Sequence, residues 1–226
     1  MMKRRLSVIL ALTLSILISS CSNKVDSNSA YCIKDNQIVF NEPERIEGQK
    51  SVLQLAVDPI PVVRMGFIGL GMRGADPVNR ISHIEGVEFK ALCDLLPERV
   101  ESVQEYVIKA KNLPECAEYS GEEGWKALCE RDDIDLVYIC TDWVNHVPMA
   151  VYAMQQGKHV AIEVPAATSV EECWQLVDVA EQTQRHCMML ENCCYDFFEL
   201  TCLNMAQQGL FGEVIHAQGA YIHNLE

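Results

Sequence analysis

The sequence predicts an α/β protein organised on a doubly wound parallel sheet. Three observations predict it. Short apolar runs alternate with segments of helical spacing, the first run ends in a glycine cluster, and the second run ends in an aspartate. Val62 to Leu70 reads as a buried strand, β-branched and apolar, that closes on glycines. Val87 to Cys93 is the second strand. Glu98 to Lys111 has helical spacing, with Val100, Val103, Val107 and Ala110 on one side. Gly124 to Arg131 is a short helix, and Ile134 to Cys140 a further strand. Val147 to Gln156 is a helix stopped by Gly157, followed by a strand from His159 to Glu163. Val170 to Gln184 is amphipathic, with Cys173, Leu176, Val177 and Ala180 on one stripe. Cys187 to Leu190 is the last strand of the series, and Phe197 to Gln208 a further helix. Strands separated by helices of this length form parallel β-α-β units, whose ligands sit at the carboxyl ends of the strands.

The first strand runs directly into Gly69-Leu70-Gly71-Met72-Arg73-Gly74, and Asp94 stands twenty residues past Gly74 at the end of the second strand. A glycine string alone is a weak signal. With a strand before it, a helix after it and a carboxylate at that distance, it is a Rossmann-type dinucleotide fingerprint. Gly69 permits the tight turn, Gly71 lets the backbone approach a pyrophosphate, and Gly74 permits close packing of helix on strand. Asp94 accepts from the adenosine ribose hydroxyls and repels a 2′-phosphate, so NAD is expected over NADP. Asp76-Pro77 reads as a helix cap with Pro at the first position, which would start the helix later than the fingerprint expects and leave Met72-Arg73 over the phosphates. Thr141-Asp142-Trp143-Val144-Asn145-His146 follows the strand that ends at Cys140. His146 there reads as a site residue, with helix capping as the alternative. Trp143 reads as packed against the cofactor or in the core. Glu163-Val164-Pro165 and Glu191-Asn192 end the next two strands.

The two ends of the chain differ from this body. Met1-Met2-Lys3-Arg4-Arg5 is a basic start, and Leu6 to Ile18 an apolar run of thirteen residues, too short for a stable membrane span. It ends in Ile18-Ser19-Ser20-Cys21, a pattern that resembles a bacterial lipoprotein box. That implies cleavage before Cys21 and acylation there, as a palmitate-type anchor, at about 0.8 kcal/mol per buried methylene. Arg4-Arg5 also permits a twin-arginine reading, and an ordinary buried N-terminal helix is the alternative. Residues 1–20 are thus expected as a signal peptide and residues 21–60 as a polar tether with one apolar island at Ile38-Val39-Phe40. Residues 61–194 are expected as the Rossmann domain. Residues 195–226 are expected as the start of a second, α+β sheet domain opened by a strand from Val214 to Ile222. The expected location is the cell envelope, lipid-anchored to a bacterial membrane.

The 18 Lys and Arg face 32 Asp and Glu, a net charge of −14; without the three basic residues of the leader it is −17, with 15 basic against 32 acidic. Such a surface repels phosphate backbones, so nucleic acid is excluded as a partner. The 11 cysteines contain no C-x-x-C, and Cys193-Cys194 is an adjacent pair rather than a ligand spacing, so no metal site is expected. Cys93, Cys129, Cys140, Cys187 and Cys202 read as small buried hydrophobes.

Gly69 to Gly74, Asp94, Thr141 to His146, and Gly157-Lys158-His159-Val160 followed by Glu163-Val164-Pro165 resemble the Gfo/Idh/MocA oxidoreductase superfamily. Its usual Glu-Lys-Pro has Val164 in the middle here, and valine cannot move a proton. The departure points to one branch. Residues 132–139, 163–167, 186–192 and Gly219-Ala220-Tyr221-Ile222-His223 together resemble glycoside hydrolase family 109, the NAD-dependent α-N-acetylgalactosaminidases. The resemblance implies NAD contacts at Met72, Arg73, Asp94, Trp143, Val144, Asn145, His146, Glu163, Val164 and Asn192, and a substrate contact at Tyr221, with His223 a further pocket candidate. It implies hydrolysis of terminal α-linked N-acetylgalactosamine by oxidation at carbon 3, elimination of the aglycone, addition of water and reduction. NAD is regenerated in each turnover. No carboxylate pair is assigned, and the general acid and base are not visible. One strand of a substrate sheet cannot form a pocket, so the chain reads as an N-terminal fragment. The alternatives are a sugar oxidoreductase of the same fold, or a non-catalytic NAD-binding remnant. Oligomeric state is left open.

Overall fold

In the computed structural model, residues 31–35, 37–40, 43–44, 49–220 and 222 are described; the leader, Cys21, Tyr221 and His223 lie outside them. The chain divides into two compact units, residues 1–44 and 45–226. The first holds β1 (Tyr31–Lys34) and β2 (Gln37–Phe40), an antiparallel hairpin in the register Tyr31↔Phe40 to Lys34↔Gln37. The stretch expected as a polar tether with one apolar island contains a hairpin, with the island in its second strand. Asp35 supplies the turn with φ 52°, a conformation that short polar side chains tolerate.

The second unit is a six-stranded parallel sheet. Its strands are β3 (Val63–Ile68), β4 (Val87–Asp94), β5 (Ala117–Ser120), β6 (Leu136–Ile139), β7 (His159–Ile162) and β8 (Cys187–Met189), in the order β5-β4-β3-β6-β7-β8. The helices are α1 (Ala75–Ile81), α2 (Pro97–Val103), α3 (Gly124–Cys129), α4 (Trp143–Gln155), α5 (Val170–Thr183) and α6 (Phe197–Gln207). Side chains alternate across each strand, so apolar runs serve two cores at once. Met65, Phe67, Leu92, Tyr138 and Ala161 face one side, against Val78 of α1 and Val100 and Val103 of α2. Ile68, Ala91, Val137, Ile139, Val160 and Ile162 face the other, against Leu128 of α3, Val147, Ala150 and Met154 of α4, and Leu176, Val179 and Ala180 of α5. The spacings 147, 150, 154 and 176, 179, 180 are those of a helix face. Asp142 and Ser169 cap α4 and α5, each accepting from a backbone N–H two or three residues on.

Three expectations change. The helix expected through Lys111 is α-helical only to Val103 and continues as a π-turn over Gln104–Ile108. Gln104 is buried there: its amide donates to Cys116 O at 2.9 Å and accepts from Cys116 N at 3.3 Å, tying the helix to the segment that enters β5. Strand β5 was not expected. The strand expected from Val214 to Ile222 is absent among the described residues, where 214–220 and 222 have no ladder partner. A strand needs a neighbour to bond. Helix α6 likewise buries no residue, with Phe197 at 86% and Phe198 at 72% exposure. Among the described residues no helix is long and apolar enough to cross a membrane.

Candidate functional site

The chain steps outward from β3 to β4 and β5, then returns to place β6 on the other side of β3. A crevice opens at the carboxyl ends where that direction reverses. Its floor is the glycine turn. Gly69 has φ +89°, its N–H donates to Cys93 O at 2.9 Å, and a Cβ on it would lie 2.3 Å from Cys140 O. Gly74 is the N-cap of α1, and a Cβ there would lie 1.8 Å from Gly69 O. A Cβ on Gly71 would meet only the Arg99 guanidinium, at 3.3 Å, so the backbone at Gly71 is bare toward the crevice. Helix α1 begins at Ala75, directly after the fingerprint, which corrects the later start expected from Asp76-Pro77. Pro77 falls in the first turn, where its missing N–H costs nothing, and Asp76 pairs with Arg80 at 2.8 Å.

The crevice has a volume of about 600 Å³. Gly69, Gly71, Met72 and Arg73 line it from the β3 end, Asp94, Leu95 and Arg99 from the β4 end, and Thr141, Asp142 and Asn145 from the β6 end. Asp94 is buried and does more than was expected of it. Its Oδ2 accepts from Leu70 N–H at 2.7 Å and its Oδ1 from Leu96 N–H at 3.0 Å, with Arg99 Nη1 at 3.4 Å. The carboxylate thus holds the glycine turn, and Oδ2, with one donor, keeps a lone pair for a ribose hydroxyl. A crevice with bare backbone at Gly71, Arg73 and Arg99 on its walls and Asp94 at its far end fits a dinucleotide: diphosphate over the turn, ribose at the carboxylate. Cys93 and Cys140 also line it, but burial pushes their thiols up to about 12 and about 11, so neither is a thiolate nucleophile.

The β6 end forms the opposite wall. Asp142 Oδ1 accepts from Val144 N–H at 3.1 Å and Oδ2 from Asn145 Nδ2 at 2.7 Å; the Asn145 bond, first, holds this carboxyl below its usual range. His146 is buried, with Pro165 O 2.8 Å from Nδ1 and Thr141 O 3.2 Å from Nε2. Both ring nitrogens face backbone carbonyls, so the ring joins the β6 loop to the β7 loop and stands outside the residues that line the crevice. Trp143 and Val144 occupy the first turn of α4 and are exposed, at 61% and 73%; Trp143 is therefore not a core residue. Val164 stands half-open beyond β7.

A second cavity of about 330 Å³ adjoins the first, and Arg73 lines both. Tyr138, Glu163 and Asn192 line it as well. Tyr138 Oη donates to Glu163 Oε1 at 2.7 Å, and Arg73 Nε lies 3.3 Å from the same oxygen. Burial first, then this bond to Glu163, raises the Tyr138 hydroxyl well above the ordinary phenol range, and the charge of Glu163 raises Arg73. The structure thus brings Gly69, Gly71, Met72, Arg73, Asp94 and Asn145 together in one crevice and Glu163 and Asn192 beside it. Gly74 lies behind the turn. Among the described residues no group of three or more His, Cys, Asp and Glu could hold a metal. Arg99 and Trp125 line the crevice without having been singled out from sequence. A basic residue five positions after the fingerprint carboxylate was the signal for Arg99.

Residues 63–191 match the Gfo/Idh/MocA family, described as an oxidoreductase family with an NAD-binding Rossmann fold. Among curated proteins the chain is 56% identical over 222 residues to a glycosyl hydrolase family 109 protein of Porphyromonas gingivalis, covering 98% of this chain and 46% of that one. It is 60% identical over 177 residues to an alpha-N-acetylgalactosaminidase of Bacteroides fragilis, covering 78% of this chain and 41% of that one. The chain therefore spans less than half the length of these relatives. Among solved structures, an NAD-binding protein from Listeria innocua superposes with a TM-score of 0.55 at 27% identity, over 67% of this chain and 42% of that one. The WlbA dehydrogenase from Chromobacterium violaceum, in complex with NADH and UDP-GlcNAcA, superposes with a TM-score of 0.62 at 19% identity, over 70% of this chain and 44% of that one, a likeness of fold.

Proposed function

Because this chain belongs to the Gfo/Idh/MocA oxidoreductase family, with its NAD-binding Rossmann fold, we propose that it is the cofactor-holding part of an α-N-acetylgalactosaminidase that keeps NAD bound. The observation that carries this is the crevice at the strand reversal: bare backbone at Gly71, buried Asp94 at the next strand end, and Arg73 between the crevice and a second cavity. The high identity to family 109 relatives supports the substrate class. Bound there, NAD would supply a hydride acceptor that returns the hydride before the product leaves. The residues of this chain hold and orient it. The Gly69–Gly74 turn and the arginines Arg73 and Arg99 hold the diphosphate, Asp94 the ribose, and Asn145, Glu163 and Asn192 the nicotinamide half, while Met72, Trp143 and Val144 cover it from the exposed rim. Val164 cannot donate or accept a proton, which favours a reaction whose proton transfers are made by groups other than the residue between Glu163 and Pro165. Tyr221 is the substrate contact in this reading.

The test uses purified protein and an aryl α-N-acetylgalactosaminide. Denaturation is expected to release NAD, and the longer protein that includes this chain is expected to release sugar with no net NADH. Net NADH formation with sugar and free NAD would make it a sugar oxidoreductase instead. Retained NAD with no turnover at saturating substrate would make it a binding remnant.

The basic start, the apolar run and the position of Cys21 support acylation there and a place on the envelope membrane. Labelled palmitate is expected in the membrane fraction with the wild-type chain and to be lost with Cys21→Ser. A Cys21→Ser protein that still carries the label refutes the anchor.

A further inference from the structure

Tyr138 sits in an apolar setting. Its ring lies 5.8 Å from that of Phe67, on the sheet face shared with Phe89, Leu92 and Ala161, where a phenylalanine would pack equally well. The hydroxyl is what distinguishes it, and it is aimed at Glu163, one of few buried carboxylates. The register explains the aim: Tyr138 pairs with Ala161, so Glu163, two residues further on, lies on the same face toward the carboxyl edge. A buried carboxylate needs donors and a counter-charge. Glu163 has both on one oxygen, the Tyr138 hydroxyl at 2.7 Å and Arg73 Nε at 3.3 Å. The pairing uses the inner nitrogen of the guanidinium. Nε is the guanidinium nitrogen closest to Glu163, and the side chain lies half-exposed on the border of the two cavities. A guanidinium fixed by its inner edge presents its outer edge to an anion.

We propose that Tyr138 is a positioning residue for the cofactor: its hydroxyl fixes the Glu163 carboxylate, which holds Arg73 across the crevice border with its outer edge toward the diphosphate. The inference rests on the reading of the crevice as an NAD site. It assigns the phenol a part in binding beyond filling the core.

NAD affinity is measured at one fixed salt concentration for the wild-type chain, Tyr138→Phe, Arg73→Gln and the double variant, with a thermal melt of each. Tyr138→Phe is expected to weaken NAD by about tenfold, the scale of one charge-assisted bond, at a melting temperature close to wild type. In the Arg73→Gln background the same change is expected to have no further effect, because the hydroxyl acts through that arginine. Glu163→Gln, which keeps the shape and loses the charge, is expected to weaken NAD as well, and part of that loss is expected to remain without Arg73, because Glu163 also holds the nicotinamide half directly. Wild-type affinity in Tyr138→Phe, or an undiminished loss in the Arg73→Gln background, overturns the proposal while leaving the NAD reading intact. A wild-type chain that binds no NAD overturns both.

Discussion

Gly74→Ala is expected to abolish NAD retention and to lower the melting temperature by roughly 10 °C, from a loss of about 3 kcal/mol. The added Cβ would stand 1.8 Å from Gly69 O, and that atom is backbone, fixed in the turn. Relief requires moving the first turn of α1 away from the end of β3. Val78 of α1 is fully buried against the sheet, so the shift also opens the core. The diphosphate then faces a displaced turn. A melt and an assay of NAD released on denaturation check both parts. A Gly74→Ala protein with wild-type stability and a full complement of NAD would show that the turn is not the binding element.

Asp94→Ala is the second large effect. The change removes the acceptor for Leu70 N–H and for Leu96 N–H. Leu70 is buried, so its N–H is left without a partner, at about 1–3 kcal/mol. The ribose loses its acceptor at the same time, and NAD affinity is expected to fall roughly 10- to 100-fold. Asp94→Ser separates the two consequences, because serine is too short to bridge both amides but can still meet the ribose. With the carboxylate gone, Arg99 is the charge nearest the ribose, and the ratio of NADP to NAD affinity is expected to rise. Titrations of both nucleotides check this; an unchanged ratio would mean that Arg99 faces elsewhere.

The alternation of strands and helices was legible because each run is short and apolar, most hold β-branched residues, and turn residues bound them. The two cores follow once the sheet is assembled, since consecutive strand residues face opposite sides. Strand β5 escaped because Glu118 and Ser120 interrupt any apolar run in Ala117–Ser120, and because it is an edge strand that pairs with β4 alone. The break after Val103 depends on Gln104 reaching Cys116, a tertiary contact with no local signature. The crevice was legible at Gly69, Gly71 and Asp94, where the chemistry fixes residue type and spacing together. The partners of His146 were not legible, because the Pro165 carbonyl belongs to a loop that meets the β6 loop only in the fold. The Tyr138–Glu163–Arg73 network needs the register of β6 on β7 before it can be seen.

The glycine turn is fastened on three sides: Gly69 N–H to Cys93 O, Leu70 N–H to Asp94, and Gly69 against Cys140. All three contacts are made within the chain itself, two of them hydrogen bonds and one a close backbone approach. Little conformational freedom is therefore surrendered at this point when the dinucleotide enters, and a pre-shaped cradle of this kind expresses itself mainly as a long residence time rather than a fast capture.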